Sequence, residues 1–335
     1  MKRNLFAAAL ICVPFAVTAG PSVPDIIEGH ILPRFEALAS TSRSLSRTAL
    51  QDCDPRSPDL RDAYGVAFDA WVAASHLRFG PTEIDDRAFA LAFWPDSRGA
   101  TPRTLAMLIA DQDPIANKPD TYGAVSIAAR GFYAMEFLLY DETLMQAGDA
   151  GYHCTLVQTV AADIAATSAA IYDDWTRNYV EVLLSPGPDA LYRNEEEVLQ
   201  EMLRALSAGL QLTQESRLGR PLGTFDRPRP TRAEAWRSGR SAAHVALSLR
   251  ALQELASYLA VSDTELSETL DRQFKDAHSR LLDLNDPIFA GVTDPQSRLK
   301  IEVISQAVGT IRTTVQTDLG PTLGVAAGFT ALDGD

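Results

Sequence analysis

The strongest candidate for chemistry is a carboxylate placed among apolar residues. Glu136 lies in the run GFYAMEFLLY of residues 131–140. In a helix, Tyr133, Glu136 and Tyr140 form one column, because residues three and four apart are neighbours on the surface of a helix. Burial should raise the pKa of Glu136 unless a cation or hydrogen-bond donors stabilise the charged form. Two interpretations stay open, a structural pair with an arginine or a residue of a functional site.

A second unusual stretch is rich in arginine. Seven arginines against Asp226 and Glu234 give residues 217–240 a net charge of +5. Arginine favours bidentate pairing with carboxylates and phosphates. These arginines therefore either neutralise acidic helix faces, such as the one at residues 195–201, or line an anion-binding cleft. The whole chain carries 30 basic and 44 acidic residues, a net charge of −14, which argues against nucleic acid as a partner.

The motifs of the common enzyme classes are missing from the sequence. It contains no Gly-x-Ser-x-Gly, no P-loop and no His-Glu-x-x-His. None of the five histidines lies three or four residues from another, so the spacing predicts no imidazole cluster. They are His30, His76, His153, His244 and His278.

The elements that must position these residues are helices. Apolar residues recur every three or four positions along nearly the whole chain, and we find no run of alternating β-branched residues. We therefore predict an all-α fold. The spacing predicts helices over 23–49, 58–78, 101–111, 120–141, 152–184, 192–218, 232–261, 263–285 and 293–318.

A Ser-Pro-Gly-Pro break at residues 185–188 divides the pattern into two parts. We expect one helical bundle over 20–187 and a second over 188–335, packed side by side. An echo between residues 77–81 and 217–221 hints at a duplication.

The first 19 residues have the composition of a signal peptide. A basic start, an apolar run over residues 5–17 and Val-Thr-Ala before Gly20 form its three regions, and the run is shorter than a spanning helix. We expect an exported chain with no membrane span after cleavage. Cys53 and Cys154 then remain, and we predict a disulfide between them; the alternative is two unrelated buried thiols.

Six features in chain order resemble the imelysin-like proteins. They are the signal peptide, the segment from Trp71 to Pro81, Phe-Trp-Pro-Asp at 93–96, residues 131–136, Arg-Leu-Gly-Arg-Pro-Leu-Gly at 217–223 and Glu-Ala-Trp-Arg-Ser-Gly-Arg-Ser at 234–241. The resemblance implies a periplasmic, all-α protein of two duplicated halves, with these polar motifs at a cleft between them. It also implies a connection with bacterial iron uptake. The founding member of the family was described as a metallopeptidase with a Gly-x-His-x-x-Glu motif.

In this chain that motif departs from the family pattern, because Tyr133 stands in place of the histidine. A neutral phenol is a poor zinc ligand, and a zinc peptidase also needs about three protein ligands and an activated water. We therefore predict no catalytic residues. Glu136 and Tyr133 are weak candidates for an oxygen site that would suit iron better than zinc, and the cofactor stays unidentified.

The leading hypothesis is a periplasmic, non-catalytic, imelysin-like protein that binds a small ligand, an ion or a protein partner of iron uptake at the inter-bundle cleft. Glu136 should pair with an arginine there, and Ser238 and Ser241 should offer hydroxyl groups. The alternatives are a metal-dependent hydrolase and a purely structural envelope-interaction module. The predicted site residues are Arg78, Trp94, Asp96, Tyr133, Glu136, Glu234, Arg237, Ser238, Arg240 and Ser241.

Overall fold

The computed structural model describes residues 20–325, so the predicted signal peptide lies outside it. The described residues form helices, turns and one isolated β-bridge, between Thr224 and Arg227, which confirms the all-α prediction. The long helices are α1 (Val23–Ile26, the π-helical turn Ile27–Ile31 and Leu32–Gln51), α2 (Pro58–Ala74), α3 (Ala100–Asp111), α4 (Gly131–Tyr140), α5 (Ala150–Asp174, the π-helical turn Trp175–Tyr179 and Val180–Leu184), α6 (Glu195–Gln211, the π-helical turn Leu212–Leu218 and Gly219–Leu222), α7 (Ser241–Leu259), α8 (Thr264–Leu284) and α9 (Pro295–Thr314, the π-helical turn Val315–Leu319 and Gly320–Thr322).

Local sequence determines where many of these helices begin. A short polar side chain at the N-cap accepts a hydrogen bond from a backbone N–H of the first turn, which otherwise lacks a partner. Proline follows the cap of α2 and of α9, where its fixed φ suits the first helical position. The capping residues are Ser57 for α2, Asp149 for α5, Asn194 for α6, Asp263 for α8 and Asp294 for α9.

The helices pack as two neighbouring groups. In the first, α1 contacts α2 and α5, and α4 contacts α5. In the second, α6 contacts α7, α7 contacts α8, and α8 contacts α9. Helix α2 packs on α7 and joins the groups through one continuous apolar core. The domain boundary at residues 187 and 188 and the duplication stay predictions.

Helix α5 is strongly apolar and lies at the centre of the first group. Its length and composition would suffice to cross a membrane, which the sequence analysis did not expect of any segment after the leader. Its apolar face, including Val160, Ile164 and Ile171, is fully buried in the core. Packing against α1 and α4 accounts for this burial.

Two predicted helices are shorter than expected. Residues 119–129 form the 3₁₀ segments Pro119–Ala124 and Ile127–Ala129, so the predicted helix 120–141 is wrong before Gly131. Gly131 has φ +73°, and a Cβ there would collide with the carbonyl oxygens of Ala90 and Leu91. The close approach of these two segments requires glycine, and it ends any helix arriving from residue 130.

The predicted helix 232–261 is also wrong at its start, since α7 begins at Ser241. Residues 234–239 form turns in which Ala235 has φ +49° and Gly239 has φ +75°. The N–H of Arg240 donates to the carbonyl oxygen of Ala235 and closes the turns. We call residues 230–240 the arginine loop.

The predicted disulfide is confirmed. Cys53 and Cys154 are bonded, with their Cα atoms 5.2 Å apart. The bond ties the chain after the end of α1 to the first turn of α5, across 101 positions of sequence. In the chain-entropy model a closed loop of this length stabilises the fold by about 4–5 kcal/mol.

A buried histidine pair lies where the two groups of helices meet. The Nε2 atoms of His30 and His76 are 2.8 Å apart, and His30 Nδ1 lies 3.3 Å from Oε1 of Glu254 on α7. Arg34 donates hydrogen bonds to both oxygens of Glu254. The sequence did not predict this pair, because His30 lies in α1 and His76 in the turn after α2, 46 positions apart.

This pair predicts that the fold loses stability in acid. Burial lowers the pKa of His30 to about 4, and burial together with His30 lowers the pKa of His76 well below its usual value. Between pH 6.5 and 4 the unfolded chain takes up protons that the folded chain does not. The free energy of unfolding should therefore fall by about 2–3 kcal/mol from pH 7 to 4.5 through His30 alone. Urea unfolding of the wild type and of His30→Gln at both pH values checks this, and an equal fall in both proteins would contradict it.

Candidate functional site

Glu136 on α4 is buried and bonded to the arginine loop. Its Oε1 accepts hydrogen bonds from the N–H of Ser238, at 2.9 Å, and from the Ser238 hydroxyl, at 2.7 Å. Burial raises the pKa of Glu136, and the Ser238 bonds and the charge of Arg237 limit the rise. The prediction that Glu136 pairs with an arginine is wrong, because the nearby Arg237 donates a hydrogen bond from its Nε to Asp141, 3.1 Å away. The loop geometry brings the Ser238 donors to the carboxylate instead.

Glu234 is the carboxylate that pairs with an arginine. Its Oε2 accepts a hydrogen bond from Arg217 Nε at 2.6 Å and lies 3.2 Å from Nδ1 of His244. The Tyr133 hydroxyl donates to Oε1 at 2.5 Å. Burial alone would raise the pKa of Glu234, but the Arg217 charge and the His244 bond outweigh it and hold this pKa well below the usual range. We call Tyr133, Arg217, Glu234 and His244 the carboxylate network.

The carboxylate network also connects the two groups of helices. Arg217 donates to the hydroxyl of Ser248 on α7 at 2.8 Å and to that of Ser75, which follows α2, at 3.3 Å. Sequence reasoning placed Arg217 in a motif but did not assign it to the site. It missed His244 entirely, because the contact with Glu234 depends on the turns between them.

Arg240 ends the arginine loop, and Ser241 follows it. Arg240 donates two hydrogen bonds to Asp69 on α2. Ser241 opens α7, and its buried hydroxyl has no hydrogen-bond partner within residues 20–325. Neither of these predicted residues lines the cavity described below. Arg240 therefore ties the loop to α2, and neither residue faces the cavity.

Trp94 and Asp96 lie on the loop opposite. The Trp94 ring stacks on Tyr133, with centroids 6.2 Å apart. Asp96 accepts hydrogen bonds from the N–H groups of Ala100 and Thr101 at 2.9 and 2.8 Å, at the start of α3. Burial would raise the pKa of Asp96, but these backbone bonds lower it below the usual value. The carboxylate thus fixes the loop that carries Trp94.

These loops enclose a cavity of about 220 Å³ beside α4. Of the predicted site residues, Trp94, Asp96, Tyr133, Glu136 and Arg237 line it. Glu234 and Ser238 support it through the bonds given above.

The structure places the predicted site residue Arg78 outside this cavity. Its guanidinium forms an ion pair with Glu83 and lies over the ring of Phe89, 5.0 Å from the ring centroid. The nearby carboxylate of Glu83, only five residues along the chain, accounts for this position.

The weak metal candidates, Glu136 and Tyr133, do not form a ligand set. Burial and Glu234 raise the pKa of Tyr133, so its hydroxyl keeps the proton that it donates to Glu234. No group of three or more His, Cys, Asp or Glu side chains within residues 20–325 is arranged to hold a metal ion. The residues present at this site therefore do not fit the zinc centre of a metallopeptidase.

Two solved structures and one family model are similar to this chain. The chain is similar in fold to an imelysin-like protein from Psychrobacter arcticum 273-4, with 20% identity, a TM-score of 0.75, and 92% of this chain and 96% of that chain covered. It is also similar to a "putative iron-regulated protein A precursor" from Parabacteroides distasonis ATCC 8503, with 14% identity, a TM-score of 0.74, and 89% and 95% covered. No curated protein matches the sequence. The imelysin family model, Peptidase_M75, matches residues 31–315, so the chain belongs to the imelysin family.

Proposed function

We propose that this chain is an exported, non-catalytic binding protein of iron uptake, and that its ligand occupies the cavity between α4 and the arginine loop. One observation carries the proposal. A cavity with aromatic and arginine walls adjoins the buried carboxylate network. The Glu234 carboxylate of that network already accepts hydrogen bonds from Arg217 and Tyr133. A concave site with a few fixed polar groups is the usual form of a small-molecule site.

The state of the acidic groups favours binding over hydrolysis. Glu234 is held by Arg217 and Tyr133, and Asp96 by backbone N–H groups. Glu136 faces the cavity with a raised pKa, but the hydroxyl that it could activate, that of Ser238, does not line the cavity. The carboxylates of this site instead fix the positions of its walls.

The role in iron uptake and the export rest on other observations. The structural neighbour from Parabacteroides is described as an iron-regulated protein precursor. Iron regulation is consistent with the proposed role in iron uptake, and a precursor is consistent with export. The disulfide between Cys53 and Cys154 favours an oxidising compartment such as the periplasm. An iron-uptake or envelope protein is the proposed partner. The mature chain should begin at Gly20, which N-terminal sequencing of the exported protein tests.

Native mass spectrometry and elemental analysis of protein purified from its own envelope test ligand binding. We expect the wild type to carry a bound small molecule or ion and Trp94→Ala to lose it, because that change removes one wall of the cavity. Phe225→Ala is the matched control, since Phe225 is 74% exposed and does not line the cavity. A species that Trp94→Ala retains, or a wild type that carries none, would contradict the proposal.

A further inference from the structure

Arg220 lines the cavity without a partner for its charge. Its Nε is buried and has no hydrogen-bond partner within residues 20–325, and its Cζ lies 5.7 Å from the centroid of the Trp94 ring. Burial and the charge of Arg232 lower the pKa of Arg220, which shows that two cations share this wall. A buried donor without an acceptor is costly, and the nearby charge of the exposed Arg232 adds repulsion.

Two other arginines at this site are paired with acidic residues. Arg217 pairs with Glu234, and Arg237 pairs with Asp141. Arg220 and Arg232 form no ion pair within the described part of the chain. Three arginines of the stretch, Arg217, Arg237 and Arg240, are paired with acids. Four form no ion pair within residues 20–325, and of these Arg227 and Arg229 do not line the cavity, whereas Arg220 and Arg232 do.

The sequence-based alternative, neutralisation of the acidic face of α6, does not apply to this pair. Glu197 forms its ion pair with Arg193, and Glu201 forms one with Arg204. A local excess of positive charge also stands out in a chain with a net charge of −14. The lining also carries Asp96 and Glu136, but backbone N–H groups hold Asp96 and burial raises the pKa of Glu136. The three arginines of the lining therefore leave the concavity attractive to a ligand of negative charge.

Aromatic rings form much of the remaining walls, beside the carboxylates of Asp96 and Glu136. The Trp94 ring is backed by Tyr133. Across the cavity the Arg237 guanidinium lies between Phe137 and Trp236, 4.0 and 4.6 Å from their ring centroids. A volume of about 220 Å³ is below the range for drug-sized ligands, so the occupant is small.

We propose, on the basis of the proposed function, that the ligand is a small aromatic carboxylate. Its carboxylate accepts charge-assisted hydrogen bonds from Arg220 and Arg232, and its ring lies among Trp94, Phe137 and Trp236. The anion places one negative charge beside the two arginines and offsets part of their mutual repulsion. Arginine suits this role because its planar guanidinium can bond a carboxylate with two donors.

Calorimetric titration with benzoate, and with benzamide as the neutral analogue, tests this inference at low ionic strength. We expect benzoate to bind more tightly than benzamide, and more tightly than acetate, which lacks the ring. Arg220→Gln should weaken benzoate binding by about tenfold or more, the effect of one charge-assisted hydrogen bond. Arg227→Gln, which removes the same charge from the same stretch outside the cavity, should leave the affinity unchanged.

Three results would overturn the inference and leave the proposed function intact. They are equal affinity for benzoate and benzamide, an Arg220→Gln protein that keeps its benzoate affinity, and equal weakening by Arg220→Gln and Arg227→Gln. Absence of binding by any of the three compounds at millimolar concentration would also overturn it. In that case a ligand retained by the wild type in native mass spectrometry would keep the proposed function, and an empty wild type would end both.

Discussion

Replacing Arg217 by methionine should lower the free energy of unfolding by about 3–5 kcal/mol, because it leaves the Glu234 carboxylate charged and buried without its cation. Arg217 also donates to Ser75 and Ser248, so the change removes bonds that connect the two groups of helices. Urea unfolding at neutral pH gives the difference from the wild type directly.

Two further variants make this result specific. Arg312→Met removes an arginine whose partner Glu215 is about half exposed, and it should cost about 1 kcal/mol or less. Adding Glu234→Gln to Arg217→Met should recover part of the loss, because the uncompensated charge is gone. A cost for Arg217→Met no greater than that for Arg312→Met would mean that the carboxylate network does not stabilise the fold.

Much of the fold could be predicted from the sequence, because apolar spacing and capping residues act locally. The predicted helix 263–285 matches α8, Thr264–Leu284, with Asp263 as its cap. The predictions went wrong where tertiary contacts override helical spacing. At Gly131 the carbonyls of Ala90 and Leu91 leave no room for a Cβ, and the residue has a positive φ that favours glycine. In the arginine loop the turns place Glu234 and Ser238 against α4.

The candidate site could be predicted as a set of motifs but not as a geometry. Burial of Glu136 could be predicted from its apolar neighbours. Its hydrogen bond from Ser238 could not, because the apolar spacing predicted a helix where the structure has the arginine loop. The same spacing gave no signal for the contact of His30, in α1, with His76, in the turn after α2. The absence of a partner for Arg220 is a property of the folded cavity, so only the structure shows it.

The second large effect concerns the function itself. Trp94→Ala combined with Arg220→Gln removes one aromatic wall and one of the two unpaired cations of the cavity. The changed side chains lie outside the Arg217 and Glu234 pair, so we expect the variant to fold and to be exported in normal amounts. We expect it to lose ligand binding nearly completely. The matched control combines Phe225→Ala with Arg227→Gln, two exposed positions in the same stretch of chain.

The most direct test of the cavity as the working site is growth under iron limitation of a strain that lacks the gene and carries each version on a plasmid. Immunoblots of the envelope fraction establish that all versions are present in equal amounts. The account predicts that the wild type and the Phe225→Ala, Arg227→Gln control restore growth, and that the Trp94→Ala, Arg220→Gln variant grows no better than the empty vector. Full restoration by that variant would contradict the account.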